Sequence, residues 1–112
     1  MQDPLEPLTV EQAEAALDEC RHQIDDVDRR IVGLLNERAR IVEVVGDVKQ
    51  RAAMRVYEPK REELVYANVT GSNGGPLPSP SVRRIYERII DEMRTLQRDR
   101  MAARAINEEP KP

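Results

Sequence analysis

Between Leu17 and Val48 the apolar residues recur at alternating steps of three and four: Leu17, Cys20, Ile24, Val27, Ile31, Leu34, then Ile41, Val45 and Val48. Strands repeat every two residues, so this spacing requires a helix, and one that packs along a narrow seam. One position is out of keeping. Arg38 stands where the repeat reserves room for an aliphatic side chain. A guanidinium keeps its proton in a protein, so a buried one needs carboxylates or another strong acceptor opposite it. The pattern therefore describes a dry helical groove with a positive charge set into it. A polar residue that only fixes the register of a helical dimer is the other reading of the same break.

The first helix runs from about Val10 to about Arg51. Thr9 is a candidate N-cap, and Gln12, three residues later, completes a capping box. No proline interrupts the stretch, and Gly46 is tolerated at a modest loss of propensity. At about 1.5 Å per residue such a helix is roughly 60 Å long. A compact monomer of 112 residues is only about 35 Å across. A second copy is the simplest cover for the overhang, so an intertwined homodimer is expected.

The segment from Ala52 to Glu58 breaks the pattern. Pro59 suits a first helical position, and a short helix follows to about Val69. Thr70 to Pro80, rich in Gly, Pro, Ser and Asn, reads as a loop. Ser79 can cap a third helix with Pro80 at its first position; Val82, Ile85, Ile89, Met93 and Leu96 stripe it, and fraying is expected beyond Arg104. The fold class is all-α, with three helices per protomer: a very long first, a short second and a long third. Residues 1–8, with Pro4 and Pro7, read as a flexible lead-in, residues 9–106 as one helical domain, and residues 107–112 as a disordered tail.

Composition narrows the function. The chain has no Phe, no Trp and three Tyr, so its core must be aliphatic. A net charge of −3 with so few aromatics argues against a general nucleic-acid binder. No run of 18 apolar residues exists to span a membrane. The acidic start, without an apolar signal core, points to the cytoplasm. The single Cys20 has no internal disulfide partner and reads as a core thiol on the seam. Neither a metal-ligand cluster nor a Ser/His/Asp or Cys/His set can be assembled from the sequence.

The cations fall in an order. Arg38 and Lys49 are separated by about three turns and offset by roughly 20°, so they lie on one stripe. Arg21 is offset from Arg38 by roughly 100° and lies roughly 25 Å from it, too far to share a small pocket on one straight helix. In an antiparallel dimer it reaches the partner's pocket instead. Gln97 lies one turn beyond Met93 on the inward edge of the third helix, where an amide needs a partner. Arg61 and Glu62 lie near the start of the second helix, where backbone N–H groups favour an anion. Each residue also has a plainer reading: Lys49 as a solvated helix end, Gln97 as a surface amide, Arg61 and Glu62 as an exposed first turn, Met93 as core filler and His22 as a solvated neighbour of the seam.

Taken in order, these pieces carry more weight than singly. Arg21 opens an R-x-x-I-D pattern through Ile31. L-L-N-E-R-A-R follows at 34–40, V-x-x-V-K at 45–49, V-Y-E-P-K-R-E-E at 56–63 and I-Y-E-R-I-I-D-E-M-R-T-L-Q at 85–97. This order and spacing resembles the all-helical class of chorismate mutase over roughly residues 17 to 100. The resemblance implies an intertwined homodimer with two identical sites, no cofactor and no metal, rearranging chorismate to prephenate on the way to phenylalanine and tyrosine.

By resemblance, Arg21 is donated in trans to a substrate carboxylate, while Arg38 and Arg61 hold the two carboxylates within the subunit. Lys49 and Gln97 donate hydrogen bonds to the ether oxygen. Glu62 accepts from the ring hydroxyl, and Glu58 supports it. The family often has a small hydroxyl or thiol residue where this chain has Met93, a departure that removes a donor to a carboxylate. Such a site suits a dianionic substrate and a pericyclic reaction that uses no nucleophile. Two alternatives stand beside it: a lyase on the same scaffold that eliminates pyruvate from isochorismate, and a non-catalytic helical dimerisation module. Activation by a partner enzyme of the aromatic pathway is a further expectation.

Overall fold

The computed structural model describes residues 6–107. The expected lead-in over 1–8 and tail over 107–112 therefore fall mostly outside the described residues. Three helices, α1 (Val10–Arg51), α2 (Pro59–Gly71) and α3 (Ser79–Asn107), supply the regular structure, and the fold is all-α. No described helix is long and apolar enough to cross a membrane. The chain divides into two compact units, Met1–Glu37 and Arg38–Pro112.

The first unit holds α1 as far as Glu37. The capping box forms as expected: the Thr9 N–H donates to Gln12 Oε1 at 3.0 Å, and the Gln12 N–H donates to Thr9 Oγ1 at 3.1 Å. The apolar stripe is uncovered, with Val27 42% and Leu34 63% exposed. Cys20, expected in a core, is exposed on the same stripe, and His22 is exposed as expected. The reason is simple: one helix offers no second surface against which to bury its own seam.

The second unit holds the end of α1 together with α2 and α3. Tyr66 and Ile90, 7% and 6% exposed, form its small core. The Arg83 guanidinium covers the Tyr66 ring at 4.3 Å, and burial pushes the Tyr66 hydroxyl above its ordinary pKa. Charged side chains tie α3 to the end of α1. Arg100 reaches Glu43 at 2.7 Å and Asp47 at 3.2 Å, and Arg104 reaches Asp47 at 2.7 Å. The hydrogen bond from Arg100 leads in holding the Asp47 carboxyl below its usual range, against a desolvation that works the other way.

α1 ends in a left-handed turn. The Met54 N–H donates to the Lys49 carbonyl at 2.8 Å and the Ala53 N–H to the Gln50 carbonyl at 3.1 Å. This is the paired bonding of a Schellman cap, with Ala53 at φ 56° where glycine is usual. Pro59 starts α2 as anticipated, and the helix runs two residues past the expected Val69, to Gly71. α3 starts at Ser79 itself, because the Pro78 carbonyl accepts the Val82 N–H at 3.2 Å. Ser79 Oγ is engaged instead by Asn73 Nδ2 at 3.2 Å, and α3 continues past Arg104, to Asn107.

These contacts have two measurable consequences. Ala53→Gly relieves the left-handed strain and raises unfolding free energy by ~0.5–1 kcal/mol in urea denaturation, after the entropy loss of glycine is subtracted. Asp47 binds its proton at a lower pH when folded than when unfolded, so its contribution is complete above the ordinary carboxylate pKa and is lost as pH falls through the folded value. Thermal melts should therefore show wild-type stability declining below about pH 4, and a shallower decline in Asp47→Asn.

Candidate active site

One cavity is lined entirely by residues of the second unit, and it gathers most of the charged residues singled out above. The cavity has a volume of about 290 Å³. Its apolar wall comes from Ile41, Val42 and Val45 of α1, Val56 of the linker, Val65 of α2 and Ile90 of α3. Four cations face it, Arg38, Lys49, Arg61 and Arg94, against two carboxylates, Glu58 and Glu62. Four positive and two negative side chains leave a formal surplus of two positive charges.

The helix ends place these groups. Lys49 sits in the last turn of α1, and its side chain is only 12% exposed. Its ammonium meets Glu58 Oε1 at 2.5 Å and donates to the Val56 carbonyl at 3.1 Å. Glu58 is the residue before α2, and its carbonyl accepts the Glu62 N–H at 3.1 Å, so the pair also fixes the start of that helix. Arg38 is half-buried and Arg61 exposed. Among the described residues, neither guanidinium forms an ion pair. The acidic partner that a buried Arg38 was expected to require is therefore not supplied by a described side chain.

Gln97 is buried, at 9% exposure, and not the surface amide of the plainer reading. Its Nε2 donates to the Val42 carbonyl at 3.4 Å. Gly46 packs against it: a β-carbon at that position would stand 3.6 Å from Gln97 Nε2, an ordinary van der Waals contact. Met93 lines the cavity with a thioether that donates no hydrogen bond. Seven of the eight expected site residues thus share one cavity. Arg21 lies in the first unit, exposed and 3.3 Å from Asp18.

Arg94 escaped the sequence reading. Its Nη2 holds Glu62 at 3.1 Å and Asp91 at 2.7 Å, and its guanidinium carbon lies 5.8 Å from the centre of the Tyr57 ring. A signal existed. Ile90, Met93, Arg94 and Gln97 occupy positions i, i+3, i+4 and i+7 of one face. Arg94 interrupts that face as Arg38 interrupts the seam of α1.

Comparison with known proteins places the chain. It is similar to the bifunctional chorismate mutase/prephenate dehydratase of Neisseria gonorrhoeae, with 38% identity over 78 residues, which make up 70% of this chain and 21% of that protein. The chain thus spans about a fifth of the length of that bifunctional relative. With the chorismate mutase of Methanocaldococcus jannaschii it shares 30% identity over 53 residues, 47% of this chain and 54% of that one. Among solved structures, chorismate mutase (form II) from Thermus thermophilus superposes with a TM-score of 0.73 at 32% identity, over 74% of this chain and 94% of that chain. A family model described as chorismate mutase type II matches residues 20–98. Most of the chain, the cavity included, is covered by that match: the chain belongs to the chorismate mutase type II family.

Proposed function

We propose that this protein rearranges chorismate to prephenate in a site that matures when two copies assemble. The observation that carries the reading is the charge surplus of the cavity: Arg38 and Arg61 bring positive charge that no described carboxylate neutralises. A small dianion supplies the missing pair of negative charges, and guanidinium forks grip carboxylates with two donors each. At about 290 Å³ the space suits a ligand at the small end of the usual range.

The reaction is an intramolecular bond exchange. One C–C bond forms as one ether C–O bond breaks, with no proton to transfer and no covalent intermediate. The protein therefore has two tasks. It holds the flexible side chain of the substrate folded over its ring, which removes rotational freedom before the barrier is climbed. It also meets the negative charge that gathers on the ether oxygen. Lys49 supplies a point charge for that oxygen and Gln97 a neutral donor, both aimed from stiff helices. Glu62 accepts the ring hydroxyl, with Glu58 supporting this end of the cavity while it anchors Lys49.

Arg21 completes the site from the second copy, gripping one substrate carboxylate. The uncovered stripe of the first unit supports this assembly, since exposed aliphatic residues in such a row are stabilised by burial against a like surface. Residues 9–106 then act as one helical domain within the dimer. An activating enzyme of the same pathway belongs to this proposal as a partner: Met93 leaves the substrate one donor short, and a partner that tightens the cavity offsets that loss. Cytoplasmic residence goes with it, since the lone thiol of Cys20 needs no oxidising compartment.

Two measurements test the proposal. Lys49→Ala keeps its helical circular dichroism and loses about two to three orders of magnitude in turnover of chorismate; near-normal prephenate formation would remove Lys49 from its role. Equal mixing of inactive Arg21→Ala and Arg38→Ala subunits restores about a quarter of wild-type activity, because half the dimers are mixed and each has one intact site. Absence of recovery after verified subunit exchange would exclude the shared site.

A further inference from the structure

We propose that Arg94 is a positioning residue for the reaction, acting through Glu62. The inference rests on the reading of Glu62 as the acceptor of the substrate's ring hydroxyl. Glu62 sits in the first turn of α2, with its side chain 18% exposed and its carboxylate 3.1 Å from Arg94 Nη2. A glutamate has three side-chain torsions, so a carboxylate at the edge of a cavity samples several directions unless something holds it. Among the described residues, Arg94 is the one cation that pairs with it.

Arg94 is itself held from three sides. Asp91, one turn earlier on α3, takes the same Nη2 at 2.7 Å. The Tyr57 ring lies within cation–π range. A second cavity of about 360 Å³, lined by Asp91, Thr95 and Arg98 among others, also has Arg94 on its wall. The guanidinium thus stands in the partition between two cavities, with its Nη2 committed to carboxylates and so withheld from a substrate anion.

Stability alone does not account for this placement. The Nε of Arg94 is buried with no hydrogen-bond partner. Leaving a buried donor of a charged group unsatisfied is unfavourable. A side chain placed only to bind α2 to α3 would do better with that donor near an acceptor, as in the Arg83–Glu63 pair between the same helices, where Arg83 Nε lies 3.5 Å from Glu87 Oε1. The arrangement instead satisfies a geometric demand: the Glu62 carboxylate is held by the Nη2 of a guanidinium on α3 that Asp91 also anchors.

The test is a double-mutant cycle on the full chain, with kcat and KM for chorismate measured for wild type, Arg94→Gln, Glu62→Gln and the double variant, and with Arg94→Lys as the conservative change. If Arg94 acts through Glu62, Arg94→Gln lowers kcat about tenfold or more with a smaller change in KM, since misplacement harms the reacting geometry more than capture. The double variant is then no slower than Glu62→Gln alone, because residues that work as a unit are not additive. Arg94→Lys recovers part of the loss. Losses that multiply in the double variant, or wild-type kcat in Arg94→Gln, overturn the inference while leaving the proposed reaction in place. A wild-type protein inert toward chorismate removes that reaction and this inference with it. Should circular dichroism show Arg94→Gln unfolded, Arg94→Lys, which keeps the charge and the side-chain stem, replaces it in the same cycle.

Discussion

The contact between the Lys49 ammonium and the Glu58 carboxylate governs the rest of the site. An ammonium at 12% side-chain exposure among valines and isoleucines needs a counter-charge and a further acceptor to offset its lost hydration. Glu58 and the Val56 carbonyl provide both. Because Glu58 is also the residue from which α2 departs, the same contact sets where that helix begins. Arg61 and Glu62, one turn on, inherit their place from it. The stabilisation of one buried cation thereby arranges two further charged groups around a common space.

Opposite demands meet in that space. Glu58 and Glu62 are each matched by a cation, and those pairs organise the structure. Arg38 and Arg61 stand without an acidic partner among the described residues, and they leave the cavity with uncompensated positive charge. The ion cluster of Arg100, Arg104, Glu43 and Asp47 ties α3 beyond Gln97 to the same stretch of α1. The cations of the cavity are thus released from holding α1 to α3.

Much of this was legible in the sequence, for identifiable reasons. The three helices follow from period and punctuation: the Thr9–Gln12 box, Pro59 at a first position and the Gly/Pro-rich stretch before Ser79 are local signals with local causes. Gln97 was placed on the inward edge by its stripe. Its burial, however, depends on α1, whose Val42 carbonyl, 55 residues away in the chain, accepts from its Nε2. The left-handed turn at Ala53 was not legible, because alanine carries no preference for that conformation; hydrogen bonds to Lys49 and Gln50 impose it. Arg94 was overlooked because one arginine among many on a charged helix looks solvated until its partner on another helix is known. The division after Glu37 was hidden too, since a periodic stripe says that a face will be covered without saying by what.

That division falls at the point where the seam breaks. Before Arg38 the stripe residues have no covering surface within their own unit. From Arg38 onward the same stripe, through Ile41, Val45 and then Lys49, becomes the wall of the cavity. Within the second unit that strip admits charge and leaves space. Arg38 marks the change. An aliphatic side chain there would extend the apolar strip by one turn and take from the cavity a cation that has no acidic partner among the described residues. The irregularity in the repeat is thus where the apolar strip gives way to charge and open space.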